Sequence, residues 1–107
     1  FYFSGVYSHT ILKSPKEADF RVQEEHGGLI TEVSPTNKMK QTAESILGLI
    51  PETPLYARID LVRDDSDEFC LMELELIEPA LYLRMNENAA GIFAETVDSF
   101  LKAAMMD

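Results

Sequence analysis

The chain has 107 residues and a net charge of −10, from 9 basic and 19 acidic side chains; 46% of it is apolar, and six Phe and four Tyr supply aromatic bulk. This length suits one domain, which can bury roughly two thirds of its unfolded surface, and the composition excludes a disordered or fibrous chain. The charge argues against nucleic acid and anionic membrane as partners, and leaves anionic ligands only where a local cluster of cations can hold them.

Phe1-Tyr2-Phe3, the punctuation Ser4-Gly5 and a strand from Val6 to Lys13 predict a hairpin, because aromatic and β-branched residues flank a glycine turn. Residues 14–19 are polar and read as a loop, 20–23 is short and alternating, and Gly27-Gly28 permits an unusual backbone path. Leu29 to Val33 is a further strand. Ser34-Pro35 offers an N-cap with proline in the first turn, and Met39, Ala43, Ile46, Leu47 and Ile50 recur at helical spacing until Pro51 and Pro54 stop the helix. Leu55 to Arg63 and Phe69 to Ile77 are long apolar-rich strands joined by the turn Asp64-Asp65-Ser66-Asp67. From about Asn86 a second helix carries Ala90, Phe93, Val97, Phe100, Leu101 and Ala104 on one face. Connections this short demand antiparallel pairing, so the expected class is α+β: one antiparallel sheet with two helices packed on one face, a single domain over residues 1–107.

Cys70 is the one cysteine, which excludes an intrachain disulfide. With no paired Cys/His spacing, no signal peptide and no apolar run near the roughly 20 residues of a membrane span, the expected location is the cytoplasm. The chain opens on strand-like residues without an initiator Met and reads as a piece of something longer. His9 and His26 read as structural or exposed side chains, and Cys70, alternating with Met72 and Leu74, as a buried inert thiol. The run from Asp64 to Glu68 lacks the central glycine and spaced final glutamate of a calcium loop and reads as a solvated turn.

The chemistry concentrates on the long hairpin. Alternation puts Tyr56, Arg58, Asp60 and Val62 on one face of the first strand, and Leu71, Glu73, Glu75 and Ile77 together on the second. With an even connection, such as Asp64 to Asp67, Arg58, Asp60, Glu73 and Glu75 converge; an odd one separates them. Two carboxylates about 5 Å apart repel by roughly 3–4 kcal/mol at an effective dielectric near 20, so three need a cation or must protonate. Oxygen ligands without His or Cys select a hard ion, and Mg²⁺ or Mn²⁺ held this way normally bridges to substrate phosphates. A solvated face with its charges spread apart is the alternative.

The stretch ARIDLVRDDSDEFCLMELELIEP, residues 57–79, resembles the C-terminal metal-binding hairpin of ATP-grasp carboxylate-amine ligases, where Arg-x-Asp on one strand precedes Glu-x-Asn and a proline on the next. Upstream, KSPKEADFRVQEEHGG resembles the segment R-x-P…R-x-N…GG of the glutathione synthetase-like and cycloserine-synthesis-like branch. Lys13 stands for the first arginine, Arg21 matches the second, and Gln23 replaces the asparagine. The resemblance implies ATP with Mg²⁺ (or Mn²⁺), with Asp60 and Glu73 as metal ligands and Glu75, where the family has asparagine, as a third. It implies that Lys13, Arg21 and Arg58 stabilise phosphoryl oxygens, Arg21 and Arg58 catalytically, with Gln23, Gly27 and Gly28 shaping the nucleotide and substrate side. Such a ligase joins a small carboxylate to an amine through an acyl phosphate. The earlier nucleotide-gripping subdomains are expected in the parent chain, so this segment by itself is expected to be inactive. A homo-oligomer is among the expected assemblies, and the alternative function is a non-catalytic acidic interaction module or a subunit interface of the same ancestry.

Overall fold

The structure, a computed structural model, describes residues 1–14 and 29–106. The predicted strand at 20–23, most of the predicted loop before it, and Arg21, Gln23, His26, Gly27 and Gly28 lie outside the described residues. The elements are β1 (Tyr2–Phe3), β2 (Val6–Tyr7), β3 (Thr10–Ser14), β4 (Leu29–Val33), α1 (Asn37–Leu47), β5 (Tyr56–Arg63), β6 (Phe69–Glu75), a short 3-10 turn (Leu83–Met85) and α2 (Ala89–Met105). Among the described residues the strands form an antiparallel four-stranded sheet in the order β2-β1-β5-β6 and a separate antiparallel pair β3-β4.

The first hairpin closes through Ser4 and Gly5, both at positive φ (49° and 78°), the two-residue turn whose twist matches that of its strands. The strand expected from Val6 to Lys13 is two strands in two sheets. It breaks at Ser8-His9, where the His9 ring turns inward and is buried. Helix α1 is capped by the hydroxyl of Thr36, which accepts from Met39 N, two residues later than the Ser34-Pro35 start expected. Its C-cap is Gly48, ahead of both prolines.

The α+β class, the antiparallel sheet and the two helices are as expected, but the helices divide between the faces of the sheet. Neighbouring residues on a strand point to opposite sides, and both Tyr2 and Phe3 are buried, so β1 is covered above and below. Tyr2 lies opposite Ala57 and packs with Ala43, Leu47 and Ile59, which puts α1 on that face; its hydroxyl donates to Glu44 Oε2 at 3.0 Å. Phe3 lies opposite Tyr56, and both rings meet Phe93 of α2, at 5.0 and 6.2 Å between centroids. The small side chains Ala43 and Ala57 let α1 lie close against β5.

Candidate functional site

The β5-β6 hairpin is joined by five residues, not four. Asp64 Oδ1 organises the turn by accepting from Ser66 N (2.8 Å) and Glu68 N (2.9 Å), while Asp67 takes a positive φ of 61°. This odd connection pairs Arg63 with Phe69, Val62 with Cys70 and Leu61 with Leu71. Continued unbroken, that register would set Asp60 against Met72 and turn Glu73 to the other face. Instead the register shifts between Asp60 and Leu61, Met72 is left without a partner as a β-bulge, and Asp60 meets Glu73 and Arg58 meets Glu75.

The bulge therefore restores the convergence that the loop length would have abolished. It also moves every residue on its turn side to the opposite face. Cys70, expected in the core, shares Val62's side and is exposed, while Leu71 takes its place opposite Leu61. The Cys70 thiol lies 3.5 Å from Asp64 Oδ2, and desolvation and that carboxylate both push its pKa up, which argues against a nucleophile.

Arg58 is the hub of the face. Its Nε donates to Asp60 Oδ1 at 2.9 Å and its Nη2 to Oδ2 at 2.8 Å, a bidentate fork, while Nη1 stands 3.0 Å from Glu75 Oε2 and 3.5 Å from the Ala80 carbonyl. The bonds to Asp60 outweigh burial and raise the guanidinium pKa, so the charge is permanent. Glu75 Oε2 is buried and receives no hydrogen bond in line, so its ion pair with Arg58 leaves a lone pair unused. Glu73 lies opposite Asp60 but is exposed. Arg58 holds two of the three carboxylates that sequence reasoning gave to a metal, Asp60 and Glu75, and among the described residues no three carboxylate, imidazole or thiol groups already form an ion cage.

Lys13, on β3, reaches the same region and holds its ammonium 4.9 Å from the centroid of the Tyr82 ring. The same ring receives the guanidinium carbons of Arg58 (5.8 Å) and Arg84 (5.4 Å). Sequence reasoning missed Tyr82 and Arg84; an aromatic and a cation two residues apart shortly after Pro79 were the only signal. Tyr82 and Glu78 both sit at a φ of 48°, in the left-handed region, which costs a non-glycine residue on the order of 1 kcal/mol. Three bonds hold the segment there: Tyr56 Oη accepts from Glu78 N at 3.0 Å, Arg58 reaches Ala80 O, and His9 Nε2 donates to Leu81 O at 2.9 Å.

His9 is the interior brace. It is 1% exposed, stacks on Phe1 at 4.3 Å, and accepts at Nδ1 from Ser8 Oγ, an arrangement that assigns the neutral tautomer with its proton on Nε2. Burial pushes its pKa down, against the opposing effect of the Leu81 carbonyl. The unfolded chain therefore takes up this proton first. The stability due to neutral His9 is complete above the unfolded value of 6.5 and drains away as pH falls from there toward the folded value. Urea midpoints should fall between about pH 7.5 and pH 5 in the native chain, and this slope should be shallower in His9→Gln. Equal slopes would show that another group titrates.

The chain is similar to the crystal structure of the D-cycloserine synthetase DcsG, an ATP-grasp ligase, with 27% sequence identity and a TM-score of 0.75 over 94% of this chain. The match covers 36% of that protein, so the chain spans about a third of its length. No protein-family profile and no curated protein matches. The likeness supports an ATP-grasp-like fold and a ligase ancestry. Among the described residues no helix is long and apolar enough to cross a membrane.

Proposed function

We propose that this chain is the C-terminal domain of a larger ATP-grasp ligase whose complete form joins a small carboxylate to an amine with ATP and Mg²⁺ or Mn²⁺. One observation carries the reading: a bulge at Met72 brings Arg58, Asp60, Glu73 and Glu75 to one face, on a fold shared with a ligase. In such a reaction a carboxylate oxygen attacks the γ-phosphorus of ATP and ADP leaves. The amine nitrogen then attacks the acyl carbon, a proton is lost, and inorganic phosphate departs with the electrons of the C–O bond. Both steps gather charge on phosphoryl oxygens, and no covalent protein nucleophile is required.

Lys13, Arg21 and Arg58 would stabilise that charge, Arg21 and Arg58 as the catalytic pair, with Gln23, Gly27 and Gly28 on the nucleotide and substrate side. The donor set fits a hard divalent ion: it is all oxygen, and Glu75 Oε2 keeps an unused lone pair. Asp60, Glu73 and Glu75 would hold this ion, which when bound neutralises phosphate oxygens. Until then Arg58 balances Asp60 and Glu75, so the same guanidinium that guards the carboxylates is poised for an incoming phosphate.

Calorimetric titration of Mg²⁺ in the presence of ADP tests the reading. Asp60→Asn with Glu73→Gln should weaken nucleotide-dependent metal binding more than about tenfold. Equal heats in the variant and the native chain would sink the carboxylate assignment. A complete ligase that ignores Mg-ATP would favour the acidic interaction module.

A further inference from the structure

A cleft of about 360 Å³ opens beside the buried His9, between β2, the end of β4 and the segment that leads into α2. Its polar lining includes Ser8, His9, Glu32, Ser34 and Asn86, and its volume lies at the lower end of what small-molecule sites occupy. Glu32 supplies the charge of this wall. Its Oε2 accepts from Asn86 Nδ2, and Asn86 Oδ1 in turn accepts from Asn88 N. Among the described residues no lysine, arginine or histidine forms an ion pair with Glu32. Lys40 lies against the ring of Tyr7 instead, and His9 is the neutral tautomer, because burial pushes its pKa down and the Glu32 carboxylate is the weakest of the effects that oppose or add to this.

In so acidic a chain a bare surface carboxylate is ordinary; this one is fixed by an amide 54 residues away and sits among acceptors. Ser8 spends its hydroxyl proton on His9 Nδ1, so its oxygen has only lone pairs to offer. An ammonium group, with three N–H donors and no acceptor, suits such a lining, whereas an anion would meet the charge of Glu32. The strand register adds a second observation. Ile11 lies opposite Glu32 and Lys13 opposite Ile30, so Glu32 and Lys13 share a face as diagonal neighbours, about 7–8 Å apart at the backbone. Opposite charges so placed can pair, yet Lys13 turns to Tyr82 and Glu32 to Asn86. One face therefore keeps an anion site and a cation site separate and adjacent, the arrangement that joining an anionic acyl phosphate to an amine requires.

We propose that Glu32, with the hydroxyl oxygens of Ser8 and Ser34 in the same cleft, forms a binding site for a primary ammonium group, and that this group belongs to a small, polar amine substrate. The identity of the ligand rests on the ligase reading; the site itself needs neither metal nor nucleotide.

The test is a titration of the full chain with glycinamide near neutral pH at constant ionic strength, free of metal and nucleotide, followed by the backbone amide resonances of Thr31 to Val33 and Met85 to Asn88. Saturable shifts are expected with glycinamide. Acetamide, which lacks the ammonium, and tetramethylammonium, which has the charge but no N–H donor, should give none. Glu32→Gln should weaken binding about fivefold or more, and Glu32→Asp should retain part of it. Glu32 is exposed, so an unchanged thermal transition will show that both variants remain folded. Binding by Glu32→Gln equal to the native chain overturns the proposal, as do equal shifts with acetamide or tetramethylammonium, or no saturable shifts with glycinamide. Loss of Mg-ADP binding with glycinamide binding intact would remove the ligase reading alone, and the reverse pattern would remove this site alone.

Discussion

Arg58→Met lowers the stability of the folded chain by about 3 kcal/mol near neutral pH, the lower end of the range for breaking a buried ion pair. The side chain of Arg58 is 11% exposed, and those of its partners Asp60 and Glu75 are 17% and 30% exposed. Removing the guanidinium leaves both carboxylates charged, poorly solvated and facing each other's field, and it frees the Ala80 carbonyl as well. The loss is therefore mainly the cost of stranded charge. Adding Asp60→Asn and Glu75→Gln to Arg58→Met should recover most of it, because the unpaired charges then disappear with their partner. Urea denaturation of the single and triple variants decides. A single variant that unfolds at the native midpoint would mean that water already screens this face, and Arg58 would not be the element that keeps the carboxylates together.

Phe3→Ala should be about as damaging, at about 3–5 kcal/mol, because it empties a large site in a small core. Phe3 is 1% exposed and packs on Phe93 and on His9, with Tyr56 beside it across the strands. It is how β1 meets α2, and through His9 it touches the brace that holds the Leu81 carbonyl. A domain of this size has on the order of 5–15 kcal/mol in total, so thermal unfolding should drop by more than about 10 °C. The neighbouring Tyr2→Phe removes only the bond to Glu44 on the opposite face and should cost about 1 kcal/mol. If the two substitutions cost the same, the helices do not depend separately on the two faces of β1.

Periodicity made most of the elements legible. β4, α1, β5, β6 and α2 lie where apolar spacing put them, within a few residues, because each must bury one face and its composition records that need. Boundaries moved where a local group outcompeted the expected one, as when the Thr36 hydroxyl rather than Ser34 reached the first free amides of α1. The break at Ser8-His9 was hidden because a histidine among strand formers gives no sign that its ring will turn inward to meet a carbonyl 72 residues away.

The candidate site divides in the same way. Arg58, Asp60, Glu73 and Glu75 were legible as residues that could converge, since their order and spacing are properties of the chain. Whether they do was decided in the folded hairpin: a five-residue turn set one register and the Met72 bulge reset it, and a slip of one residue turns every later side chain over. The same slip exposed Cys70. The division of the helices between the two faces needed the packing of Tyr2 and Phe3, because alternation says that neighbours part company but not what each will meet. The gathering of Lys13, Arg58 and Arg84 on Tyr82 was beyond any local pattern, since it joins three elements through a strained segment to which His9, Arg58 and Tyr56, brought in by the fold, make hydrogen bonds. Local composition sets which face of each element is apolar and which residues carry charge; the register and the long-range bonds, which depend on all elements at once, decide which charges meet.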